Sequence, residues 1–195
     1  TPAASSSACR AARPAIPEGY ARFLALHLPA FRLERCGYGA DEVAALIAEE
    51  RNAMRLVALT PAARNQGLVE GMTISQARSL VPELPMELLE PEAEAHDRGE
   101  MLRAFERLSD QLQPLGPQEV VLEIARATRA HGGELAILEA AHGIADLLGH
   151  VLQVAITDDP MGALALARVQ AGVVPAGRMA DALAPLPVGA LGSSG

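Results

Sequence analysis

Ala62-Ala63-Arg64-Asn65-Gln66-Gly67-Leu68-Val69-Glu70-Gly71-Met72-Thr73-Ile74-Ser75-Gln76-Ala77-Arg78 reads as two very short helices joined by a glycine-bounded turn. Thr60 suits the N-cap of the first helix, Pro61 its first position and Gly67 its C-terminal exit. Thr73 and Gln76 have the spacing of a capping box for the second helix, which Pro82 ends. Helices this short have little core of their own, so the pair predicts a small lobe standing on a larger body.

Outward from that lobe the chain alternates strands and helices. Residues 22–28 form an apolar β-run closed by Pro29. Segments 44–49 and 55–59 read as strands paired around the turn at 50–53, and a short extended piece lies at 86–89. The longest predicted helix covers 92–113, where Met101, Leu102, Phe105, Leu108 and Leu112 recur at the spacing of one apolar face. A strand at 120–124, a helix at 134–148 after Gly132-Gly133, a strand at 151–156 and a helix at 161–170 follow, with an irregular Pro/Gly-rich end.

The 195 residues suit one domain with an inserted lobe and leave room for a core. Residues 1–18 read as a flexible tail without the apolar stretch of a secretory signal. No apolar run approaches the roughly 18 residues of a membrane span, and the expected location is the cytoplasm. Cys9 and Cys36 form no C-x-x-C and read as free thiols in a reducing compartment. The histidines at 27, 96, 131, 142 and 150 lack metal-ligand spacing, and His27 in its apolar strand reads as an ordinary core or surface histidine. Sixteen basic residues, all arginine, stand against 24 acidic ones for a net charge of −8. Phosphate neutralisation drives nucleic-acid affinity, so DNA contact by this segment alone is expected to be weak.

The order Ala-Arg, Gly-x-x-x-Gly-Met, Ala-Arg and Pro across 63–82 resembles the fingers lobe of Y-family (translesion) DNA polymerases. The resemblance extends over roughly residues 22 to 191. It implies an α+β fold: a polymerase-like palm, with a mixed sheet backed by helices, and a small helical and strand fingers lobe inserted after the first strand. The palm would comprise 19–31 and 84–171, the fingers 32–83, and 172–195 would begin the connection to a thumb. Thumb and little finger would be absent, marking the chain as a piece of a longer protein.

Polymerases of this kind hold two divalent cations with carboxylates. By the resemblance, Leu26 occupies the position of the first metal-binding Asp, Gln118 that of the second, and Glu119 is the surviving acid. Thr157-Asp158-Asp159-Pro160 is acidic where the family places a triphosphate-binding lysine, and the chain contains no lysine. Arg64 matches the family's fingers arginine, Pro61 replaces a neighbouring Tyr, and Phe31 falls near an aromatic steric gate; both Arg64 and Phe31 would be vestiges of nucleotide binding. An exposed arginine on a small helix is the plainer reading of Arg64. Glu119, Glu123, Asp158 and Asp159 converging on one cation is a further option, with a solvated Glu123 and a turn or cap at Asp158-Asp159 favoured over it. Gln111-Leu112-Gln113-Pro114-Leu115 faintly resembles clamp-binding peptides but is expected to close the long helix.

A frame with degraded ligands resembles the non-catalytic, ImuB-like branch of the family. That resemblance implies no enzyme activity, no cofactor and no metal. The role would be an interaction scaffold in SOS-induced mutagenesis, linking the sliding clamp, an error-prone C-family DNA polymerase and a RecA-like accessory protein. The alternatives are an active error-prone translesion polymerase with displaced metal ligands, and an unrelated α+β regulatory domain sharing only the Gly-x-x-x-Gly-Met turn.

Overall fold

The computed structural model describes residues 21–169 and 171–185. The expected tail at 1–18, Cys9 and residues 186–195 lie outside these residues. Strand β1 (Phe23–His27) is followed by helix α1 (Phe31–Glu34), then β2 (Ala45–Glu50), β3 (Ala53–Leu59), α2 (Pro61–Asn65), α3 (Ile74–Leu80) and β4 (Met86–Leu88). The chain continues through α4 (Pro91–Phe105), β5 (Leu112–Pro114), β6 (Glu119–Glu123), α5 (Ala127–His131) and α6 (Glu134–Leu148). It closes with β7 (Gln153–Thr157), α7 (Pro160–Val169), β8 (Gly172–Val173) and α8 (Met179–Leu183).

Two sheets result. The larger has the order β5-β6-β1-β7-β8, with β1 antiparallel to both β6 and β7 and β8 parallel to β7. The smaller has the order β3-β2-β4 and is built entirely from the segment inserted between β1 and β6. Strand alternation sends successive side chains to opposite faces. Leu24, Leu26 and Leu28 therefore join Val120, Leu122, Val154 and Ile156 against Met101, Phe105 and Ile137 from α4 and α6. Ala25, Val121 and Ala155 point the other way, onto Ala163, Leu164, Leu166 and Ala167 of α7.

The inserted lobe forms as its local chemistry dictates. Thr60 caps α2 by accepting from the Ala63 N–H at 3.2 Å, with Pro61 at the helix start. Gly67 exits in the left-handed region at φ +84°, where a side chain is strained. Thr73 and Gln76 close a complete capping box on α3. The turn joining β2 to β3 consists of Arg51 and Asn52, both at positive φ, as a two-residue hairpin requires. The helix pair and its turn bring Ala63, Leu68 and Ala77, and the lobe's core is completed by Ala45, Leu56 and Leu59 of the sheet and by Leu84.

The long helix also needs correction. It ends at Phe105, and residues 112–114 are an edge strand rather than helix. Ser109 stops it: its Oγ donates to the Glu123 carbonyl at 2.6 Å and accepts from the Gln111 N–H at 3.1 Å. The ladder with β6 then takes over, pairing Leu112 with Leu122. The helical spacing ran on because Leu108 and Leu112 reach the same core from a turn and a strand. Gln111–Leu115 is therefore extended. The C-terminal part holds a short helix, α8, where irregular chain was expected.

Helix α1 was not foreseen, and it fastens the inserted lobe to the larger sheet's helices. Arg32 pairs with Glu94 at 2.9 Å and Arg35 with Asp97 at 2.7 Å, both on α4. Glu34 meets His150 at 3.0 Å and accepts from the Val151 N–H at 3.1 Å.

Candidate functional site

The strand register brings the expected site residues to one end of the β1–β6 pair. Leu26 stands opposite Val120 and His27 opposite Glu119, and Leu28 N–H donates to the Gln118 carbonyl at 2.9 Å to continue the ladder. Backbone adjacency does not bring all the side chains together. Leu26 is wholly buried among the leucines facing α4 and α6. Gln118, two residues before Val120, takes that side by alternation, and its amide reaches the Pro29 carbonyl at 3.4 Å. Glu119 turns to the other face.

There Arg168, on the last turn of α7, grips Glu119 with both arms of its guanidinium. Nε lies 2.6 Å from Oε1 and Nη2 2.8 Å from Oε2, a bidentate charge-assisted pair. The two side chains are 13% and 15% exposed, so water screens the pair weakly. His27 Nδ1 sits 3.5 Å from Oε1, the outer limit of a hydrogen bond, and adds charge only when protonated. Burial is the largest influence on the Glu119 carboxyl and opposes its ionisation. Hydrogen bonds from His27 and Arg168, with the charges of both, together outweigh it and hold the group at about 2. The Arg168 guanidinium is pushed up by its bond to Glu119.

The acidic turn lies elsewhere. Phe23 pairs with both Glu123 and Thr157, so Asp158 and Asp159 leave the sheet at the end opposite His27 and Glu119. The four-residue offset along the strand is about 13 Å. Asp159 caps α7 by accepting from the Gly162 N–H at 2.6 Å, and Asp158 accepts from Gly177 N–H at 2.7 Å. The turn-and-cap reading of these residues therefore describes them, and convergence with Glu119 does not. Arg64 is half exposed and paired with Glu70 at 2.7 Å. Phe31 is wholly buried against the His150 ring, centroids 5.1 Å apart. The partners of these two side chains are Glu70 and His150, not Glu119.

The divalent cations that this fold family implies do not fit the residues present. A magnesium site takes its ligands from oxygen in near-octahedral order. Leu26 offers hydrocarbon, Gln118 a neutral amide on the far face, and both Glu119 oxygens already receive guanidinium N–H groups. Among the described residues, no three His, Cys, Asp or Glu side chains are grouped to hold a metal.

A helix-backed sheet with a lobe inserted after its first strand is the palm-and-fingers arrangement of Y-family DNA polymerases, and solved structures of that class match it. DinB from Sulfolobus solfataricus superposes with a TM-score of 0.70 at 12% identity, over 83% of this chain and 50% of that one. The insertion ternary complex of Dbh DNA polymerase gives 0.72 at 14%, over 89% and 54%. Its post-insertion binary complex gives 0.74 at 14%, over 89% and 55%. The chain thus spans about half the length of these structures. No curated protein matches the sequence. Residues 35–167 match the impB/mucB/samB family, and the chain belongs to it.

These comparisons overturn the expectation that the chain is not an enzyme. The matching solved structures are DNA polymerases, which are enzymes, and neither they nor the family match marks this chain as inactive. No helix among the described residues is long and apolar enough to cross a membrane.

Arg168 is the site residue that the sequence reading missed. It lies 49 residues from Glu119, and its only signal was a basic residue in the last turn of a predicted helix.

Proposed function

We propose that this chain is the palm and fingers of an ImuB-like protein of translesion DNA synthesis and SOS mutagenesis, and that its main contribution is to assemble partners. The palm would comprise 19–31 and 84–171, the fingers 32–83, and 172–195 the start of a connection to a thumb, with 1–18 a tail. The partners would be a sliding clamp, an error-prone C-family DNA polymerase and a RecA-like accessory protein. The observation that carries this reading is the state of Glu119. The one acid kept at the expected position is neutralised internally by Arg168, while the frame around it is intact. A charge of −8 without lysine also favours protein partners over a nucleic-acid backbone.

Size-exclusion chromatography of the purified chain mixed with each purified partner tests it. Co-elution with at least one of the three is expected. Separate elution of all three, together with primer extension by the whole protein that Glu119→Gln abolishes, would overturn it. Nucleotidyl transfer with displaced ligands is the second reading, favoured by the retained Glu119 at the start of β6 and by the polymerase nature of the matching structures.

A further inference from the structure

The Glu119 site disagrees with its fold family in a specific way. Its carboxylate has not been lost; it has been given a different cation. Arg168 approaches from α7 with a planar fork, and both carboxylate oxygens are satisfied at 2.6 and 2.8 Å. Such a pair has fixed geometry and one positive charge, whereas a divalent ion needs those lone pairs and several more oxygens. Guanidinium remains charged across the accessible pH range, so titration does not release the carboxylate from its partner's charge. Its positive charge also repels an approaching divalent ion. Arg168 is fixed in place because α7 packs along the sheet through Ala163, Leu164, Leu166 and Ala167. The ion pair is therefore part of the α7–sheet packing rather than a mobile surface contact.

We propose that Arg168 is the resident cation of this site, a positioning residue that satisfies the Glu119 carboxylate and keeps divalent metal from it. The inference does not rest on the partner-assembly reading, because it concerns occupancy of one carboxylate.

Manganese titration followed by electron paramagnetic resonance tests it, using the wild-type chain, Glu119→Gln, Arg168→Met and the double variant. Wild type and Glu119→Gln are expected to bind Mn²⁺ equally weakly. Arg168→Met, which keeps the apolar stem and removes the charge, is expected to bind Mn²⁺ at least roughly ten-fold more tightly, because a repelling charge is gone and Glu119 with His27 is open. Adding Glu119→Gln to Arg168→Met should remove the gain. Wild-type binding that depends on Glu119, or no gain in a folded Arg168→Met, overturns the proposal. A measurement on the wild type covers the case in which Arg168→Met does not fold. The Arg168 Nε–H NMR signal should stay sharp as Mn²⁺ is added. Selective broadening of that signal that disappears in Glu119→Gln would show metal at the carboxylate and overturn the proposal.

Discussion

Replacing Glu119 with Gln removes one charge and leaves the shape almost unchanged, so the effect on stability reports what His27 and Arg168 together do for the carboxylate. The carboxyl sits at about 2 in the folded protein against an ordinary 4.5. A depressed folded value stabilises above the unfolded value and is lost as pH falls toward the folded one. The displacement corresponds to about 3 kcal/mol at neutral pH, at 1.36 kcal/mol per unit. By the same relation less than half of this survives at pH 3, and almost none near pH 1. Urea unfolding of wild type and Glu119→Gln at pH 7, 4 and 3 measures the difference directly. The variant is expected to be less stable by about 3 kcal/mol at pH 7, with the gap closing mainly below pH 4. A gap that is absent at pH 7, or that is constant down to pH 3, would mean that the carboxylate charge is not held in the fold.

Other perturbations test other parts of the structure. Glu134→Gln removes the charge facing Arg22, a guanidinium only 1% exposed that also donates to the Val174 carbonyl, and should cost about 3–5 kcal/mol in urea unfolding by leaving a buried charge uncompensated. Thr60→Ala deletes a buried hydroxyl that caps α2 and bonds both backbone groups of Ala44, so a loss of about 1–3 kcal/mol in the same assay is expected. Tyr38 donates to Glu87 at 2.7 Å, and that bond, then burial and the Glu87 charge, push its phenol up to about 12. Ultraviolet titration should show one tyrosine ionising near that value, and Glu87→Gln should lower it toward 10.

How much of this was legible in the sequence depends on how local the determining chemistry is. The lobe was legible because its signals act over three or four residues: Thr60 and Thr73 cap, Pro61 starts, and Gly67 turns with positive φ. The hairpin at Arg51-Asn52 and the central strands were legible for the same reason. Helix α1 was not, because four residues after a proline carry little periodicity and its hold comes from ion pairs to residues 62 positions away. Strand β5 was misread because core-facing leucines at 108 and 112 kept a helical spacing across a chain reversal. At the site, the sequence located Leu26, Gln118 and Glu119 near one another but not on which face each side chain stands. Strand parity with a known register decides that, and register is a property of the partner strand. In the sequence Glu119 stands as an isolated survivor, whereas its partner arrives from a helix that follows β7.

A palm and fingers that assemble protein partners should bind at least one of them directly. Surface plasmon resonance with the immobilised chain and purified error-prone C-family polymerase from the same source measures that binding. Saturable binding is expected, with a dissociation constant on the order of 1 μM or tighter, about −8 kcal/mol, and unchanged for a folded Glu119→Gln chain. No saturable response at about 100 μM, for this polymerase and for the clamp and RecA-like protein injected in turn, would contradict it.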